Sequence, residues 1–183
     1  MRRLLAGLIG GALGSAAMSG FLRMMFPLLP ARDQYPLPPR RIAMRLVTKS
    51  GFEPPRREPD RRALTLTAHY AYGTTLGGVY GLIAPRTRMA AITGGFPFAM
   101  AVWAGSYLGW LPAVGLHPPA TRESVARNTL MIAAHFVWAG TIAVAVATAL
   151  RTKDHGPRTD LGPRTDLGPR TDHGTGTKYQ GRS

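Results

Sequence analysis

Four stretches of about twenty mostly apolar residues, at 4–29, 63–83, 89–111 and 130–150, constrain this chain more than any other feature. A bilayer's hydrocarbon core is ~30 Å thick and takes about 20 helical residues to cross. Backbone polar groups in hydrocarbon must bond within their own segment, so such stretches take the helical form. The sequence therefore predicts an all-α fold: an integral membrane four-helix bundle over residues 1–150. A disordered, low-complexity basic tail at 151–183 completes it.

At 183 residues, one domain is expected. The whole-chain mean hydropathy resembles that of a soluble protein, because it averages greasy spans with a polar loop and tail. The chain has no cysteine, which excludes disulfides and thiolate metal sites. Its net charge is +14, and nine of the 23 lysines and arginines fall at 31–62. Charge beside apolar spans suits anionic lipid headgroups. No nucleic-acid motif accompanies it, so nucleic acid is not an expected partner. Met1-Arg2-Arg3 opens like a signal peptide, with Ser15-Ala16-Ala17 as a small-residue site. The apolar run continues through Phe21 and Phe26 to Leu29, so an uncleaved first span is expected. Basic residues divide almost evenly between the two sides, which leaves orientation open.

Within the Pro-rich basic loop at 31–62, residues 40–50 carry a helical pattern. Ile42, Ala43, Leu46 and Val47 share one face, and Arg41, Arg45 and Lys49 another. Two readings stand: an amphipathic helix in the headgroup plane, or an unfolded basic loop. Either way Arg40, Arg41, Arg45 and Lys49 are expected to meet anionic headgroups. Only residues 84–88 separate the second and third spans, which predicts an antiparallel hairpin. Pro97 should kink the third span, and Trp110 should sit in an interfacial aromatic belt. Beyond residue 150, Gly-Pro-Arg-Thr-Asp recurs at 156–160, 162–166 and 168–172. A six-residue period without an apolar face buries no core.

Helices in lipid associate through close contact, and small residues four apart permit it. Span one offers Gly7, Gly11, Ser15 and Ser19; span two Gly73, Gly77 and Gly81; span three Ala101, Gly105 and Gly109; span four Ala139, Ala143 and Ala147. These stripes predict a tightly packed bundle, with one left over for a homo-oligomer.

His69 and His135 are the candidate functional residues, because ionisable groups in a span usually face the interior. Spans two and four run the same way, and both histidines lie roughly 8–9 Å below one surface. Tyr72 and Trp138 follow three residues later on nearly the same faces. Three readings compete. The pair can lock helix register through hydrogen bonds. It can respond to protons, since charging one imidazole disfavours charging its neighbour. It can clamp a haem, with Gly73 leaving room for the macrocycle, which would make the chain an electron carrier. An oligomeric proton or small-solute pathway is a further alternative. Two histidines alone make a poor zinc site. The spans contain no Asp or Glu, no nucleophile stands beside a base, and no phosphate loop occurs. Neither an enzyme nor a bound metal is expected, and no cofactor is assigned.

The chain resembles a known family along residues 4–150. The features are a Gly-rich first span ending Met25-Phe26-Pro27 and a Pro-rich loop. Then come His69-Tyr-Ala-Tyr-Gly73 with Gly77, Gly78, Tyr80 and Gly81, a Gly-Gly-Phe span with Trp103, and Ala134-His135-Phe136 with Trp138 and Gly140. Together they resemble the YagU-like family of small bacterial inner-membrane proteins. That resemblance implies a multi-pass protein of the bacterial plasma membrane with a role in acid stress. It supplies no catalytic residues, and the repeat tail departs from it.

Overall fold

A computed structural model describes residues 1–151; the repeat-bearing tail, expected to be disordered, lies outside the described residues. The described residues form five helices: α1 (Arg2–Met25), α2 (Pro38–Lys49), α3 (Glu58–Ile83), α4 (Arg88–Ala113) and α5 (Val125–Arg151). Proline sets several of their limits. Pro27 turns α1 into a short 3-10 segment, Phe26–Leu28. Prolines occupy the first turns of α2 and α3, where the missing N–H would have had no helical partner. Glu58 and Asp60 add negative charge at the positive end of α3. Gly51, at φ 83, lets the chain leave α2 through a left-handed residue.

Three helical segments are long and apolar enough to cross a membrane: Arg2–Leu28, Arg88–Ala113 and Val125–Leu150. The stretch expected as the second span is also helical, within α3. Four charged residues among its first five, followed by threonines, tyrosines and His69, make α3 less apolar than those three.

The helix α1 packs along both α3 and α5, and α4 packs against α5. Its glycines set the approach. A Cβ on Gly11 would stand 2.9 Å from the Thr74 Cα and 3.1 Å from the Gly77 Cα, so α1 and α3 touch backbone to backbone. Gly7 likewise meets Gly77 and Gly81, and Ser15 packs on Gly73. The other face of α1 uses Gly10 and Gly14 against Ile142, Ala145 and Trp138 of α5. Arg3 donates a hydrogen bond to the Ala84 carbonyl, which fixes α1 antiparallel to α3. Ala139, Ala143 and Ala147 of α5 are buried.

The third stripe is a correction. Gly105 and Gly109 are exposed; a Cβ on Gly105 would meet nothing within 4 Å, and one on Gly109 only the Ala104 carbonyl of its own helix. They shape the backbone of α4 instead of packing it against a neighbour. Residues Gly105–Trp110 form a π-helical segment, with Gly109 at φ −104, ψ −106. Pro112 cannot donate to the Leu108 carbonyl, and the helix accommodates that loss in the turn before it. The same cause acts at Pro97, where α4 is interrupted at Gly94.

Candidate functional site

The helix α2 does not stand apart from the bundle. Ala43 is buried, and Ile42, Ala43 and Leu46 roof a cavity of about 180 Å³ between α1, α3, α4 and α5. The roof is held by the basic face of α2. Lys49 Nζ donates to the Val114 carbonyl at 2.7 Å and Arg45 to the Leu116 carbonyl at 3.3 Å. Arg41 pairs with Glu123 at 3.3 Å, and Arg40 grips Glu58 through two bonds of 2.6 Å. All four cations expected at lipid headgroups thus have partners within the chain.

His69 and His135 both line this cavity, from α3 and α5. His135 is 7 % exposed, and its Nδ1 lies 2.7 Å from the Met131 carbonyl one turn back. A carbonyl only accepts, so Nδ1 carries the proton of the neutral ring and Nε2 is left as an acceptor. The His135 ring meets Tyr107 and Trp138 edge to face, at 5.9 and 6.5 Å between centroids. His69 faces the Ser15 carbonyl. Tyr72 crosses from α3 to α4, its hydroxyl 2.9 Å from Ser106 Oγ. The π-helical segment presents Ser106 and Tyr107 inward; such segments recur at functional sites because they re-aim side chains. Trp138 is buried with its indole N–H unpartnered.

Gly73 leaves no slot for a macrocycle. A Cβ there would meet Ser15 Oγ and, at 3.1 Å, the Trp138 Nε1, so Ser15 and Trp138 already occupy the space over the Gly73 Cα. No group of three or more His, Cys, Asp or Glu side chains suited to a metal occurs among the described residues.

A second cluster closes the roofed end. Arg127, 2 % exposed in the first turns of α5, donates Nε to Glu123 at 2.9 Å and Nη1 to the carbonyls of Asp33 and Tyr35 at 2.7 and 3.1 Å. Tyr35 donates its hydroxyl to Glu123. Burial pushes the Glu123 carboxyl upward. The Tyr35 hydrogen bond and the Arg127 charge outweigh it and hold Glu123 below the usual carboxylate range. Beside it His117, 2 % exposed, donates Nδ1 to the Pro118 carbonyl at 2.7 Å, and its Nε2 is unpartnered, 3.8 Å from Glu123 Oε1. Burial lowers the His117 imidazole, and the Pro118 carbonyl and the Glu123 carboxylate offset that only in part.

Sequence reasoning alone does not single out Glu123 or His117. The available signal was the Glu123–Arg127 spacing of four, at the entrance to an apolar span. Comparisons with protein-family models, with curated proteins and with solved structures find no match to this chain.

Proposed function

We propose that this chain is a four-span, YagU-like protein of the bacterial plasma membrane that acts without catalysis, and whose histidine-lined cavity opens on acidification. The reading is carried by the convergence of His69 and His135, from two helices, on one cavity roofed by α2. A second proton on His135 goes to Nε2, since Nδ1 is already engaged. The residues lining the cavity include no carboxylate to pair with the new charge. An uncompensated cation in an apolar enclosure is costly, and admitting water relieves it. The roof weakens in the same direction, because Glu123 holds Arg127 and Arg41 only while ionised.

Thermal unfolding of the purified protein in detergent at pH 8 and pH 5 tests this. Wild type is expected to lose stability on acidification. His69→Gln/His135→Gln should lose markedly less, keeping the fall that belongs to His117. Equal falls in both proteins would overturn the proposal.

His69 also borders an outer groove between α1 and α3, which favours a proton pathway as the second reading. Proteoliposomes that dissipate a pH gradient, and fail to do so with His69→Gln, would support it; no dissipation by wild type would remove it.

A further inference from the structure

The four cations of α2 are engaged within the chain, so the charge that a membrane surface meets lies elsewhere. A groove of about 770 Å³ runs outside the roofed end, between the last turns of α1, the segment at 34–40 and the first turns of α3. Its floor is apolar, with Leu22, Phe26, Leu37 and Leu66. Three guanidinium groups line it: Arg23 from α1, Arg40 from α2 and Arg62 from α3. Arg40 is neutralised by Glu58, the groove's one carboxylate. Arg23 and Arg62 are exposed and make no hydrogen bond or contact ion pair among the described residues.

Both arginines sit where apolar helix gives way to polar loop. Arg23 lies in the last turn of α1, and Arg62 just before the apolar part of α3. Guanidinium is the side chain best matched to phosphate, through paired N–H donors in a fixed plane. A basic pocket opening between membrane helices at headgroup level, with an apolar floor, fits a lipid with an anionic head and a hydrocarbon tail.

We propose that this groove is a binding site for an anionic phospholipid, its phosphate held between Arg23 and Arg62 and one acyl chain against Leu22 and Leu66. The site rests on the membrane-spanning reading above and is independent of the histidine cavity's response to acid.

The test is thermal unfolding of the full chain in uncharged detergent with added dioleoylphosphatidylglycerol, dioleoylphosphatidylcholine or inorganic phosphate. The glycerol lipid, well above its dissociation constant, should raise the melting temperature by about 3–5 °C. The choline lipid and inorganic phosphate should not. Arg23→Gln/Arg62→Gln should abolish the shift. Arg23→Lys/Arg62→Lys should retain part of it, and Arg86→Gln/Arg88→Gln, at the opposite end of α3, should retain all of it. An unchanged shift in Arg23→Gln/Arg62→Gln, an equal shift with the choline lipid, or a full shift with inorganic phosphate would each overturn the site. Sedimentation with membranes after an alkaline wash reports the spanning reading separately. A protein that pellets yet shows no lipid shift overturns this proposal alone.

Discussion

The Arg127 guanidinium lies 3.6 Å over the Tyr35 ring and donates to Glu123, four residues earlier in the chain, at 2.9 Å. Both side chains of the ion pair are nearly inaccessible to solvent. Breaking a buried pair leaves an uncompensated charge and costs about 3–5 kcal/mol. Glu123→Gln keeps the shape and removes the charge, so it should destabilise by an amount in that range. Arg127→Lys should also destabilise, because one ammonium cannot reach Glu123 and the Asp33 and Tyr35 carbonyls together. Chemical denaturation in mixed micelles measures both.

Glycines with the same look in sequence should behave oppositely. Gly77→Ala places a methyl 2.6 Å from the Gly11 Cα and should push α1 from α3, at a cost of about 1–3 kcal/mol. Gly105→Ala meets no neighbour and should change stability by less than about 0.5 kcal/mol. Parallel melts of the two variants decide it; equal losses would contradict the packing described.

The roof should weaken in two acid steps. His117 is lowered in the folded protein, so its contribution is complete above the ordinary imidazole value, near 6.5, and declines as pH falls below it. Glu123 is also lowered. Its contribution is present above the ordinary carboxylate value, about 4.3, and is lost as pH falls through the lower folded value. His117→Gln should flatten the upper step and leave the lower one. Melting temperatures taken every half pH unit separate them.

The Tyr72–Ser106 hydrogen bond joins α3 to α4 beside the histidines. Tyr72→Phe and Ser106→Ala should each cost about 0.5–1.5 kcal/mol, and the double variant less than their sum. Additive losses would mean that the two hydroxyls act separately.

The helices were legible because their signals are local: long apolar runs, and prolines at 27 and 85 that mark their limits. At α2 the two-faced pattern left a helix and an unfolded loop both open, and the use of its basic face was not legible. Arg41, Arg45 and Lys49 find partners 82, 71 and 65 residues away, and no local pattern reports such pairings. The small-residue stripes carried half of the packing. Gly7 and Gly11 were legible, whereas Gly10 and Gly14 serve the opposite face of the same helix. Gly105 and Gly109 fit the spacing yet answer to Pro112, a backbone cause that spacing alone does not reveal. Shared depth suggested that His69 and His135 could meet; the roof over them depends on tertiary contacts from α2.

The crossing of α3 is the point on which the account turns, since α3 is the least apolar of the long helices. The chain has no cysteine, so single cysteines at Ser50, Thr87 and Thr121, all exposed and all outside the proposed spans, can be labelled cleanly. A membrane-impermeant maleimide, applied to right-side-out and inverted vesicles, reports the face each occupies. Four crossings predict Ser50→Cys and Thr121→Cys on one face and Thr87→Cys on the other. Labelling of Ser50→Cys and Thr87→Cys from the same face would contradict the account.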